Sequence, residues 1–179
     1  MATFLERYHE MKRFLGFTDA DAARLVALAP LFAEVGAGVT DRFYEVLAQY
    51  PETARMIEGR VDLLKRTHAQ WMTGLFAGDY GDDYANGRLR IGATHVRVGL
   101  DPAYVDGVMS MLRQEGVMAI SAARAASGDA PEHICSTIRV LDLDLFIINY
   151  AYSEERLDRL SRFTGMKRAL IENLIRKAS

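Results

Sequence analysis

Residues 85–99 read Ala-Asn-Gly-Arg-Leu-Arg-Ile-Gly-Ala-Thr-His-Val-Arg-Val-Gly. Taken as a helix, the stretch sets Ile91, His95 and Val98 on one face, four and three residues apart. Arg88, Arg90 and Arg97 are expected to take other directions, into solvent. An imidazole that can be neutral then stands in the middle of an apolar stripe. Gly99 stops the helix, and Asp101-Pro102 opens the next.

A buried imidazole has two ring nitrogens to place, and leaving one unpaired costs about 1–3 kcal/mol. Two arrangements meet that demand. In one, His95 is a core residue hydrogen-bonded to backbone. In the other it is an axial ligand to a flat apolar cofactor, with one nitrogen on a metal and the other on an acceptor. The stretch by itself leaves both open.

Composition narrows the setting. With 179 residues, half of them hydrophobic, the chain is long enough for one domain and a short extension. A net charge of −2 offers no basic field to nucleic acid or anionic lipid. The single cysteine, Cys135, excludes an internal disulfide and a thiolate metal cluster. Glu6, Arg7, His9 and Glu10 stand where a signal peptide needs an apolar core. The longest apolar run, Val140 to Tyr152, is broken by Asp142 and Asp144 and is too short to span a bilayer. A cytoplasmic protein with no nucleic-acid or membrane partner is expected.

Helical spacing recurs almost throughout, so the fold class is all-α. Expected helices cover residues 2–14, a segment from Thr18 to Pro30, residues 33–49, a short turn after Pro51, and residues 60–76, 85–99 and 102–126. His68 and Trp71 share a stripe with Leu64, Thr67 and Leu75. In the last helix, which starts at Pro131, Ile134, Ile138, Leu141, Leu145, Ile148 and Tyr152 form a seam of alternating four- and three-residue steps. Leu143, Phe146, Ile147 and Tyr150 make a second apolar face. A helix apolar on two sides is either wholly buried or has a further partner. A partner helix from another copy is expected, giving a homodimer through residues 102–126 and 131–160. Beyond Ser153 the composition turns charged, while Leu157, Leu160, Phe163, Leu170 and Leu174 continue an imperfect heptad. Residues 1–155 therefore read as one domain and 156–179 as a helical connector, with a frayed C-terminal helix as the alternative. His9 and His133 are expected at the surface, and most charges on solvated faces. No phosphate loop, serine elbow or His-Glu-x-x-His motif is present, and no catalytic residue is assigned.

Leu64-Lys65-Arg66-Thr67, followed by Ile91-Gly92-Ala93-Thr94-His95-Val96-Arg97-Val98-Gly99-Leu100 and Pro102, resembles the sensor globins of bacteria. These are the haem domains of globin-coupled sensors, among them aerotaxis transducers and haem-regulated diguanylate cyclases and kinases. The His-x-Arg-Val-Gly-Leu segment is the distinguishing part, and the likeness covers roughly residues 1–155. It implies a globin fold with an extra N-terminal helix, no D helix and a long C-terminal helix. It also implies haem b, with His95 on the iron from the proximal side and the opposite position open to a diatomic gas. Tyr44 is then the distal hydroxyl donor to dioxygen, and Thr67 a further donor or acceptor. Phe43 packs on the porphyrin and Leu64 lines the distal side, while His68 either approaches the cofactor edge or is a partly buried structural residue. Ile91, Val98 and Tyr104 lie near the proximal face. The implied function is a non-enzymatic dioxygen sensor domain that signals through its dimer to an output domain beyond residues 156–179. The alternatives are a haem-free globin-like signalling module, in which His95 is structural, and a haem enzyme acting on nitric oxide.

Overall fold

The computed structural model describes residues 3–177, so the expected start of the first helix at residue 2 and the last two residues of the connector lie outside it. The described residues form eight helices and no strand. They are α1 (Phe4–Phe14), α2 (Asp19–Gln49), α3 (Pro51–Ile57), α4 (Val61–Leu75), α5 (Asp82–Val98), α6 (Pro102–Ala123), α7 (Ala130–Thr164) and α8 (Arg168–Lys177). Local chemistry sets the ends. Thr3 and Glu6 close a reciprocal capping box on α1, with backbone-to-side-chain distances of 2.7 and 3.2 Å. The Asp101 carboxylate accepts from the Ala103 N–H at 2.8 Å, and Pro102 follows as the first helical residue of α6. Gly99, at φ +75°, ends α5 in the left-handed conformation, and the Leu100 N–H then closes on the His95 carbonyl at 3.1 Å.

Three expectations change here. The helices expected on either side of Pro30 are one helix, α2. A proline inside a helix orphans the carbonyl four residues earlier; that residue, Val26, is exposed like Pro30 itself, so water can satisfy the group. By length and composition α2 is the one described helix able to cross a membrane, yet Leu25, Leu28 and Val39 bury in the main core. That core joins α2, α4, α6 and α7. The second apolar face of α7 is covered within the chain, by α1 and α5. Leu143 and Ile147 are 0% exposed in a cluster with Tyr8 and Ala85, flanked by Phe4, Leu5 and Phe146. Lastly, the heptad seam does not run on as one rod. The chain turns at Gly165, and α8 folds back on α7 with Ile171 buried and Arg168 paired to Glu154 and Asp158.

His133 is likewise buried rather than at the surface, its Nδ1 lying 2.9 Å from the Asp129 carbonyl.

α5 and α7 approach closely one turn before His95. A Cβ added at Gly92 would stand 2.9 Å from the Ala151 Cβ and 3.1 Å from the Ile148 Cα, so only glycine lets α5 seat on α7 there. Gly92→Val should cost about 1–3 kcal/mol by overpacking, read from urea denaturation; an unchanged midpoint would mean that the helices are free to separate.

The cleft between α4 and α5

α4 packs on α2, and α5 packs on α7; no extended packing joins α4 to α5. They meet where Arg88 of α5 donates to the Trp71 carbonyl at 2.9 Å and lies beside Gly74. Since the chain reverses between them, the early part of α4 stands opposite the late part of α5. His68 and His95 belong to those two parts.

His95 is half-buried, and burial lowers its pKa. Its Nδ1 is buried and has no hydrogen-bond partner. His68 is also half-buried; burial pulls its pKa down to about 4. Its Nδ1 shares a 2.9 Å hydrogen bond with the Thr40 hydroxyl of α2, while its Nε2 is buried and unpartnered. Among the described residues the one further buried and unpartnered side-chain nitrogen is Arg88 Nε, which lies 3.1 Å from the Asp144 carboxylate without hydrogen-bond alignment. Unpaired buried nitrogens of this kind are costly. Imidazoles held neutral, with a nitrogen left over, have the form that ligates a metal. The described residues contain no group of three His, Cys, Asp or Glu able to hold a bare ion. A neutral imidazole with a free nitrogen fits a metal carried in a cofactor that supplies most of its own ligands, as the haem expected from the resemblance does.

Of the expected site residues, Phe43, Tyr44 and His68 come together. Their ring centroids lie 4.6 Å apart for Phe43–Tyr44, 4.9 Å for Phe43–His68 and 6.3 Å for Tyr44–His68. Tyr44 is buried, which pushes its hydroxyl up to about 12, so it is a proton donor at any physiological pH. Leu64 and Ile91 are half-buried on α4 and α5. Thr67 does not join them: it is exposed, and its hydroxyl donates to the Leu64 carbonyl of its own helix at 2.8 Å. Val98 is 46% exposed. Tyr104 donates to Glu52 at 3.2 Å, beside Tyr50.

Arg88 corrects the expectation that it points to solvent. It is 7% exposed, and seven residues, two turns, separate it from His95, which puts both on one face of α5. It pairs with Asp144 of α7, which is 0% exposed. The Tyr84 hydroxyl donates to the same carboxylate, and the Trp71 indole N–H donates to it at 2.8 Å. Asp21 is a further buried charge, held by Ser136 at 2.8 Å and Arg139 at 2.7 Å. The signal for Asp144 was its place inside the apolar run from Val140 to Tyr152, where a carboxylate must find a cation.

The depressed pKa of His68 has a direct consequence. Unfolded, the imidazole takes a proton below about 6.5; folded, it resists until about 4. The unfolded chain then holds the extra proton, so His68 contributes stability above that window that is lost as pH falls through it. The haem-free chain should show this slope in thermal melts, and His68→Gln should flatten it; equal slopes would mean that the ring is solvated.

An all-helical body of this element order has the layout of a globin, here with α1 as an extra N-terminal helix and no D helix. The chain belongs to the protoglobin family, whose model matches residues 4–158, among the globin-coupled sensors. The globin domain of the Geobacter sulfurreducens globin-coupled sensor superposes with a TM-score of 0.77 at 34% identity, over 80% of this chain and 96% of that one. The heme-based aerotactic transducer HemAT of Halobacterium salinarum is 36% identical over 92 residues. That match covers 50% of this chain and only 19% of the transducer.

Proposed function

We propose that this chain is a haem-based sensor domain in which His95 would hold haem b and which detects dioxygen. The observation that carries the reading is the pair of buried, unpartnered imidazole nitrogens on the two helices that bound the cleft. Haem supplies a reversible binding position for a diatomic gas. The chain supplies the rest. His95 is kept neutral by burial, ready to ligate, and its backbone carbonyl is fixed by the Leu100 N–H. Phe43 and Leu64 furnish apolar surface that restricts water. Tyr44 provides a hydroxyl donor for a ligand that gains negative character on binding, a bond worth about 1.5–3 kcal/mol. The matched relatives, a globin-coupled sensor and an aerotactic transducer, support a sensing role. In this reading two copies pair through residues 102–126 and 131–160, and residues 156–179 lead to an output domain. Ile91, Val98 and Tyr104 would add contacts on the His95 side of the cofactor.

The test is an absorbance titration of the purified chain with hemin, then reduction and addition of each gas. One equivalent of haem with an intense Soret band supports the reading, and a chain that takes up none ends it. Tyr44→Phe should retain haem but release dioxygen roughly 10- to 100-fold faster, the equivalent of the lost hydrogen bond. An unchanged off-rate in stopped flow would remove Tyr44 from the distal role.

A further inference from the structure

The proposed haem site leaves one costly feature without a purpose, the carboxylate of Asp144. It is 0% exposed on α7, and replacing buried ion pairs by apolar groups is often neutral or stabilising, so fold stability does not account for it. What sets it apart is where its partners come from. Trp71 lies three residues beyond His68 on α4; the two rings stack at 5.2 Å and 28°, and the indole N–H reaches Asp144 at 2.8 Å. Arg88 lies two turns before His95 on α5 and reaches the same carboxylate at 3.1 Å. Its guanidinium also covers the Tyr84 ring at 4.6 Å and the Trp71 ring at 5.4 Å. One buried acid on α7 is therefore tied to both histidine-bearing helices.

We propose that Asp144 is the point at which the ligation state of the cleft reaches α7, delivered by Trp71 from the His68 side and by Arg88 from the His95 side. The proposal rests on the haem reading above. Trp71, Arg88 and Asp144 are positioning residues in it; none touches the gas. A close-packed polar cluster responds by exchanging partners rather than by stretching. A displacement of His68 must move the indole stacked on it, which then keeps or loses the carboxylate. Asp144 sits midway along α7, and the same helix carries Glu154 and Asp158, which hold α8. A change at Asp144 thus has a covalent path to the end of the domain.

The chain has one tryptophan, so ultraviolet resonance Raman reads Trp71 alone. With the haem-loaded ferrous chain, carbon monoxide should shift the hydrogen-bond-sensitive indole band and alter amide exchange across residues 140–152. Asp144→Asn, which removes the charge at constant shape, should diminish both responses. Trp71→Phe keeps a stacked ring but has no N–H, and should abolish the exchange response while haem content stays stoichiometric. An indole band identical with and without carbon monoxide overturns the proposal. So does a Trp71→Phe exchange response equal to that of the unaltered chain, and this variant decides alone if Asp144→Asn fails to fold. A chain that takes up no haem overturns the functional reading along with it. One that binds haem and carbon monoxide with a silent indole overturns this proposal only.

Discussion

Alanine at position 95 should abolish stoichiometric haem uptake without weakening the haem-free fold. The two halves of this expectation have one cause. A residue kept only for packing would be missed by the apoprotein, since truncating a buried side chain removes contacts and leaves a cavity. His95 is different, because its Nδ1 is buried without a partner, a condition costing about 1–3 kcal/mol. Removing the ring removes that penalty and offsets the lost packing. A hemin titration of His95→Ala should show no saturating Soret band, and its apo melting temperature should equal or exceed that of the unaltered chain. His95→Gly supplemented with free imidazole should recover the band. Stoichiometric haem binding by His95→Ala would remove this residue from the iron, and a marked loss of apo stability would restore the view of it as a core histidine.

The same residue shows what the sequence could and could not carry. The 3.6-residue period located every major helix, because burying one stripe per helix is what the core requires. Pro30 misled, since a proline in solvent is tolerated where its orphaned carbonyl stays wet. The two apolar faces of α7 were visible, but the helix that covers the second one, α1, is more than 120 residues away in the chain, and no local pattern encodes such a pairing. Arg88 was misplaced for a subtler reason. Its seven-residue spacing from His95 is visible in the sequence, but the carboxylate that lets a charge bury there lies 56 residues later on another helix. Phe43, Tyr44 and His68 were legible as candidates, but only the fold shows that they meet and that Thr67 turns away.

The largest expected stability change is at Arg88. In Arg88→Met the Asp144 carboxylate keeps its hydrogen bonds from Trp71 and Tyr84 but loses its counter-ion at 0% exposure. Breaking a buried pair from one side costs about 3–5 kcal/mol, a large share of the roughly 5–15 kcal/mol that holds a domain folded. Replacing both partners, as in Arg88→Met with Asp144→Leu, should return most of it, because no uncompensated charge remains. The pH dependence identifies the culprit. Burial already raises the Asp144 pKa above 3.8, against the pull of Arg88, Tyr84 and Trp71, and loss of Arg88 raises it further. Between 3.8 and the raised value the native chain holds a proton that the unfolded chain has given up. Stability therefore falls as pH rises through that window, the reverse of the usual paired carboxylate. His68 tilts the curve the other way, but it does so in both chains and cancels in their difference. The deficit of Arg88→Met, from urea midpoints at a series of pH values, should be smallest near pH 4 and grow toward neutrality; a deficit flat in pH would show that Asp144 is not the charge left behind.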